Sequence, residues 1–312
     1  MLRPLFHLMR FLCAVGSLCW VVQRLRVEEI MSFRWLSVDL RWLLLAFILG
    51  GISLLGWAGR WWWFLWVYGL RARFGELLRL TLFADFFNLY FIGPLGANGV
   101  RLFGLKSSFP EQRGAIVGSL LLDYVGGLFG GMALYWAFSR SGALPVSIVT
   151  VADKAVPLVV VVIVLGFGVI MEPALQRIIA RIPGLLRLST WLSPVYAATF
   201  RHPWLFSGFA VSVLSTACTF AAFWAAARAV GALVSLPQMF GLMPAVDLVA
   251  SLPVSINGLG VRENLIVEWL GGQSDCGPLR ALAASLLGFA AIGIWGLIGG
   301  IWMLVWRRRT HP

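Results

Sequence analysis

Two short motifs rich in glycine and proline interrupt hydrophobic stretches about half the chain apart. Residues 93–101 have the sequence GPLGANGVR, and residues 252–263 have the sequence LPVSINGLGVRE. Each motif combines a proline with an Asn-Gly pair and a following arginine, and a polar residue, Asn88 or Asp247, shortly precedes the proline. Paired interruptions in corresponding hydrophobic segments indicate a binding site near the membrane centre, between two structural repeats.

Both motifs carry groups suited to binding an anion. A turn that leads directly into a helix directs backbone N–H groups and the positive end of the helix dipole at its ligand. We expect Arg101 and Arg262 in the first turn of the following helices, where a guanidinium can hold a phosphate with two hydrogen bonds. The other candidate substrate-binding residues are Asn88, Asn98, Gly99, Asn257, Gly258 and Gly260. Alternatively, Arg101 extends to the lipid headgroups and Arg262 pairs with Glu263 or Asp247 for structural reasons.

Three carboxylates are candidates for coupling groups or counter-charges. Asp247, Glu263 and Asp123 lie in hydrophobic segments, where an ionised side chain is costly without a partner. For Asp123, a hydrogen bond between helices is an equal alternative. Asp85 and Arg60 are expected to pair with each other.

Enzyme and metal signatures are weak. The three histidines lie at the termini or in a loop, and no zinc-protease, serine-hydrolase or P-loop pattern is present. The four cysteines are scattered, mostly within apolar runs, which favours neither a disulfide framework nor a metal site. We therefore predict no catalytic residue, no metal and no cofactor. A membrane-embedded enzyme using the carboxylates near the two arginines is the main alternative.

The composition is that of an integral membrane protein. Hydrophobic residues make up 60% and charged residues 12% of the chain, and no polar block is long enough for a soluble domain. The net charge of +12 fits basic cytoplasmic loops better than a nucleic-acid partner, which would need a basic soluble face. We predict one membrane domain over residues 1–312. Its candidate spanning runs are residues 5–22, 42–67, 115–138, 156–171, 204–227 and 282–306.

The charge distribution favours an inverted repeat. Residues 77–105 and 238–270 are apolar but broken by the motifs, so each is one broken helix or a re-entrant hairpin. Placing most lysines and arginines inside puts both termini in the cytoplasm. Residues 42–138 and 204–306 then run in opposite directions, linked by an interfacial connector at 172–203. The predicted fold is all-α, with about six spanning helices and two broken or hairpin segments. Gly127/Gly131 and Gly296/Gly300 have the spacing of close helix packing.

The second motif, LPVSINGLGVRE, resembles a signature of the lysylphosphatidylglycerol synthase membrane region, a flippase-like family that includes stand-alone membrane proteins. The first motif, followed by LLDYVGG at residues 121–127, is similar to that family's other signature. Val100 and Tyr124 depart from it, since family members usually have an acidic residue before the first arginine and often a basic one after the helix aspartate. The resemblance implies movement of a polar or polyprenyl-phosphate-linked lipid between leaflets. Because only a few residues follow Trp306, we expect no aminoacyl-transferring domain.

The sequence thus predicts an inner-membrane transporter for a lipid with an anionic headgroup. The phosphate would be held by Arg101, Arg262 and the two motif backbones, with the lipid tails beside the bundle. The alternatives are an enzyme acting on lipid-linked sugars or phosphates and an accessory subunit in cell-envelope biosynthesis. A homo-oligomer or an envelope enzyme is a possible protein partner.

Overall fold

The computed structural model describes residues 38–90, 94–106, 108–141, 149, 153, 205–250, 258–271 and 276–310. Over these ranges the protein is helical, with eight helices and no strand. The helices are α1 (Leu40–Val67), α2 (Phe74–Tyr90), α3 (Pro94–Lys106), α4 (Arg113–Phe138), α5 (Leu205–Ala229), α6 (Leu236–Ala250), α7 (Val261–Leu270) and α8 (Pro278–Thr310). The predicted spans at 5–22 and 156–171 and the connector at 172–203 lie outside the described residues.

Four of these helices are long and apolar enough to cross a membrane: α1, α4, residues Ser207–Ala229 of α5, and residues Pro278–Met303 of α8. They coincide with four of the six predicted runs. Three of them begin a few residues before the predicted start, because polar residues at a helix end are tolerated at the membrane surface, and the described part of α5 begins just after it. Asp39, for example, caps α1 by accepting a hydrogen bond from the backbone N–H of Arg41 (2.9 Å).

Both interrupted segments form pairs of helices that fold back as hairpins. In the first, Ser108 Oγ donates a hydrogen bond to Glu76 Oε1 (3.1 Å), which joins the end of α3 to the beginning of α2. Further along, Gly104 of α3 packs against Leu80 of α2. In the second, Gly258 before α7 lies against Ala250 at the end of α6. These contacts show that each interrupted segment is a hairpin and not a single kinked helix, the two structures that the sequence left open.

Helices α1 and α5 pack along their length in opposite directions. The backbone N–H of Asp39, before α1, donates to the carbonyl of Ala229, at the end of α5 (2.9 Å). Midway along, Ser53 and Thr219 share a side-chain hydrogen bond of 2.6 Å. The start of one helix therefore meets the end of the other.

The main helix contacts are unchanged when α1–α4 are exchanged with α5–α8. Contacts α1·α4 and α5·α8 correspond, as do α1·α8 with α4·α5, α2·α8 with α4·α6, α2·α3 with α6·α7, α3·α4 with α7·α8, and α1·α2 with α5·α6. The α1·α5 contact maps onto itself. Each half of the described chain therefore has the same arrangement of four helices.

Glycines let the long helices approach closely, although not all at the predicted positions. A Cβ added at Gly130 of α4 would lie 2.7 Å from the Ser212 carbonyl oxygen of α5, whereas one at Gly131 would meet nothing within 4 Å. Gly127 faces the Arg60 guanidinium at a looser 3.6 Å. The close contact with α5 is therefore made by Gly130, one residue before the predicted Gly131. Gly300 of α8 does pack closely, against the Phe86 ring of α2.

Candidate functional site

A buried ion cluster joins three helices of the first half. Asp123 on α4 accepts a hydrogen bond from Arg60 Nε of α1 (2.6 Å) at Oδ1 and another from Arg101 Nη1 of α3 (2.8 Å) at Oδ2. These three residues are 5%, 7% and 8% exposed. The hydrogen bond between helices that was an alternative for Asp123 is present, and the carboxylate is at the same time the counter-charge of two arginines. The predicted pairing of Arg60 with Asp85 is wrong, because Arg60 binds Asp123 instead.

Aromatic packing fixes the orientation of Arg101. Its guanidinium carbon lies 5.2 Å from the centre of the Trp61 ring on α1. The indole N–H of Trp61 in turn donates to Ser119 Oγ of α4 (3.2 Å). A guanidinium over an indole face gains a cation–π attraction while its edge stays available for hydrogen bonds. Arg101 Nε makes no hydrogen bond within the described chain.

The position of Arg101 differs from the prediction. Helix α3 begins at Pro94, so Asn98 and Gly99 lie inside it, half-buried, and Arg101 lies beyond the first turn. Proline is well suited to the first position of a helix, since its fixed φ is helical and its missing N–H would have no intrahelical partner there. The first motif is therefore helix rather than the tip of the hairpin, and the N–H groups of Asn98 and Gly99 lie in the first two turns.

On α2, three polar side chains lie beside this cluster. Thr81 is fully buried, Asp85 is 5% exposed, and Asn88 is half-buried. Asp85 hydrogen-bonds to Asn88 and lies within electrostatic range of Arg101. Their spacing places all three on one face of the helix. Asn88 was a predicted site residue and Thr81 was not, although the spacing of Thr81 from Asp85 already places both on one face of a helix.

In the second half, Arg262 takes the place that Arg101 has in the first. It is the second residue of α7, as predicted, and is 6% exposed. Its guanidinium carbon lies 4.9 Å from the ring centre of Phe289 on α8 and 5.7 Å from that of Phe223 on α5. Each motif arginine therefore packs on an aromatic ring of its own half's first long helix, Trp61 in α1 or Phe223 in α5.

Glu263 has a structural role that the sequence did not specify. Its carboxylate accepts a hydrogen bond from the backbone N–H of Gly260 (2.6 Å) and another from Ser285 Oγ of α8 (3.1 Å), and the residue is fully buried. The first contact caps α7, since it satisfies an N–H group that the helix itself leaves unpaired. Gly258 and Gly260 have φ of 74° and 82°, which glycine adopts without strain. They form the sharp entry to α7 that delivers Arg262.

Asp247 lies at an exposed position near the end of α6, within electrostatic range of Arg262. By its spacing from the motif proline it corresponds to Asn88, and like Asp85 it lies near the motif arginine of its own hairpin. Asn257 lies outside the described residues.

The two hairpins thus place one buried arginine each inside the bundle, with an acidic residue nearby. Such an arrangement can bind an anion through charge-assisted hydrogen bonds, which are stronger where water is excluded. Among the described residues, no group of three or more histidine, cysteine, aspartate or glutamate side chains is arranged to hold a metal ion.

The comparisons with known proteins agree with the membrane architecture. A family profile described as the lysylphosphatidylglycerol synthase TM region matches residues 8–300, nearly the whole chain. No curated protein matches the chain. The resemblance inferred from the two motifs is therefore confirmed over a much longer range than the motifs themselves. The chain is a multi-pass membrane protein and belongs to the family of the lysylphosphatidylglycerol synthase membrane region.

Proposed function

We propose that this protein is a lipid transporter of the flippase type, which moves a phospholipid or a polyprenyl-phosphate-linked lipid with an anionic headgroup between membrane leaflets. The observation that carries the proposal is the pair of buried arginines, Arg101 and Arg262, each on one hairpin and each packed on an aromatic ring. A buried arginine in a membrane segment is costly and marks a substrate pathway more often than a structural contact. The family membership supports a lipid-related function.

We also propose that the two halves form an inverted repeat. The exchange symmetry of the helix contacts supports this, and so does the antiparallel packing of α1 against its counterpart α5. Two equivalent helices that run in opposite directions are related by an axis in the membrane plane. In such a repeat, exchanging the conformations of the halves moves the opening from one membrane face to the other.

In this mechanism the headgroup is passed between Arg101 and Arg262 while the tails stay in the lipid. Arg60 is important here because it retains one carboxylate oxygen of Asp123 when a phosphate approaches Arg101. The anion can then bind Arg101 without leaving Asp123 as an unpaired buried charge. We place the protein in the cytoplasmic membrane with both termini inside, following the lysine and arginine distribution.

The test is a leaflet-exchange assay in proteoliposomes, with fluorescent phosphatidylglycerol as the anionic probe and fluorescent phosphatidylethanolamine as the zwitterionic one. Dithionite bleaches the fluorophore in the outer leaflet, so the protected fraction reports exchange. We expect faster exchange of phosphatidylglycerol than in empty liposomes. Arg101→Gln and Arg262→Gln should each slow it by about 10- to 100-fold, the loss of one charge-assisted hydrogen bond.

Arg140→Gln is the matched control, because Arg140 is an exposed arginine that pairs with Asp153 at the surface. It should leave exchange unchanged. Equal rates for wild type and the Arg101→Gln, Arg262→Gln double variant would remove the proposed site. Chemical conversion of the lipid, seen by thin-layer chromatography, would favour an enzyme instead.

A further inference from the structure

A row of buried oxygen atoms on α2 lacks hydrogen-bond partners. Thr81 Oγ1, Asp85 Oδ2 and Asn88 Oδ1 are all inaccessible to solvent, and none has a partner within the described part of the chain. The side chains of Thr81 and Asp85 are more than nine-tenths buried. Buried polar atoms are nearly always satisfied by protein, water or a bound ion. Since the unpaired atoms of Asp85 and Asn88 are acceptor oxygens, the missing group is a hydrogen donor or a cation.

We propose that Asp85 and Asn88, with Thr81 one turn away, form a binding site for a small monovalent cation, either a proton or a sodium ion. Carboxylate, amide and hydroxyl oxygens are the ligands that hard cations prefer. A proton on Asp85 Oδ2 would supply the missing donor to its neighbour. A sodium ion would be coordinated by the same oxygens.

The charges around Asp85 limit the occupant to a single positive charge. Arg60, Arg101, Asp123 and Asp85 are two arginines and two aspartates, so their formal charges cancel. One added cation leaves a single excess positive charge. An anion bound to Arg101, the charged group facing Asp85, can neutralise it. A divalent ion would leave two, which is costly in a membrane interior.

Other charged groups on or near α2 are engaged elsewhere. Glu76 accepts from Ser108 at the base of the hairpin, and Arg79 donates to its own helix and lies over the Trp302 ring. Helix α8 packs against α2 through Gly299 and Gly300, and its described side chains bring no charge there. Arg60 of α1 binds Asp123, so among the described residues Arg101 of α3 is the charged group that faces Asp85 from the helices packed on α2.

The site has a consequence for transport that rests on the proposed function. If an anionic headgroup binds Arg101, it neutralises the positive charge nearest to Asp85 and so favours a cation on that carboxylate. Linkage requires the converse, that the cation strengthens anion binding by the same factor. Lipid and cation would then move together.

The second half provides a natural control. Asp247 corresponds to Asn88 by its spacing from the motif proline, and the positions that correspond to Thr81 and Asp85 are Phe240 and Pro244, which offer no oxygen ligand in their side chains. Asp247 is also exposed rather than buried. Asp247→Asn therefore removes an equivalent charge without removing the proposed site.

The experiment measures thermal unfolding of the purified protein in detergent, without transported lipid. One series raises sodium chloride against choline chloride at pH 8, and the other lowers the pH from 9 to 5 in choline chloride. If sodium is the ligand, wild type should gain about 5 °C in Tm at a hundredfold excess over Kd. If the proton is the ligand, the gain of similar size should appear on acidification. Asp85→Asn should lose the gain in either series, while Asp247→Asn should keep it.

Identical profiles for wild type and Asp85→Asn in both series would overturn the proposal. If Asp85→Asn does not fold, Asn88→Leu decides, because it removes one ligand from a half-buried position and should lose at least half of the gain. A full gain in Asn88→Leu would then refute the site. Because no transported lipid is present, a negative result here does not bear on the proposed lipid exchange. In the same way, a failure of the lipid-exchange assay does not change the interpretation of this measurement.

Discussion

Replacing Asp123 by asparagine is predicted to be the most destabilising single change in the polar cluster. The substitution leaves Arg60 and Arg101 charged, buried and without their shared carboxylate. Breaking a buried ion pair by removing one partner costs about 3–5 kcal/mol. Arg60→Met should cost less, about 1.5–3 kcal/mol, since Asp123 keeps its hydrogen bond to Arg101 and stays neutralised.

The triple variant Arg60→Met, Arg101→Met, Asp123→Leu sharpens this prediction. It removes every charge of the cluster together and fills the space with side chains of similar size. Replacement of a whole buried cluster by apolar residues is often neutral or stabilising. We therefore expect the triple variant to be more stable than Asp123→Asn alone, although it has three substitutions and lacks the substrate-binding arginine proposed for the first half.

The free energy of unfolding can be measured by titrating the protein from dodecylmaltoside into sodium dodecyl sulfate and following tryptophan fluorescence, for which the chain has 16 tryptophans. Asp153→Asn is the control, because its partner Arg140 is 75% exposed in its side chain. Breaking such a surface pair should cost less than about 1 kcal/mol. If Asp123→Asn proves no more costly than Arg60→Met or the control, the reasoning about a shared counter-charge is wrong.

Three further predictions concern packing, capping and thiol reactivity. Gly130→Val should destabilise by about 1–3 kcal/mol because its side chain meets an α5 carbonyl at 2.7 Å, while Gly131→Val, in open space, should be nearly neutral in the same titration. Glu263→Ala should destabilise by about 2 kcal/mol or more, because α7 loses its cap and the Ser285 hydroxyl loses its acceptor. Glu263→Gln should cost less, because the amide oxygen can still accept one of the two hydrogen bonds. Burial raises the pKa of Cys276 to about 11. In a variant that lacks the other cysteines, the rate of maleimide labelling should therefore rise about tenfold per pH unit from pH 7 to 9, because only the thiolate reacts. A plateau of the labelling rate below pH 9 would contradict this.

Much of the membrane architecture could be predicted because long apolar runs and the need for paired backbone groups leave few solutions. The four described spanning helices follow directly from this rule, and their ends differ from the prediction by a few residues. The hairpins were harder. A Gly/Pro interruption shows where a helix breaks, but only tertiary contacts, such as that between Glu76 and Ser108, show which way the chain goes afterwards.

The ion pairing could not be predicted, because it depends on how α1, α3 and α4 are rotated about their axes. Arg60 and Asp85 are both intramembrane charges of opposite sign, so pairing them was the simplest solution in sequence. The structure instead turns Arg60 toward α4, where Asp123 is available. Because Gly126 and Gly127 of α4 have no side chain, the Arg60 side chain has room to reach Asp123. A glycine beside a charged residue on the facing helix was the only sequence signal.

The two halves share a helix arrangement but stabilise their arginines differently, and the difference suits a carrier better than a static scaffold. Arg101 is held by an acid that a second arginine also holds, so an incoming anion shares the site instead of displacing a partner. In the second half Glu263 is committed to capping α7 and to Ser285, and the nearby Asp247 is exposed. In the proposed transport mechanism, a headgroup that passes between Arg101 and Arg262 would meet unequal surroundings on the two hairpins. The proposed cation on Asp85 would add positive charge beside Arg101 and would therefore strengthen headgroup binding at the first hairpin.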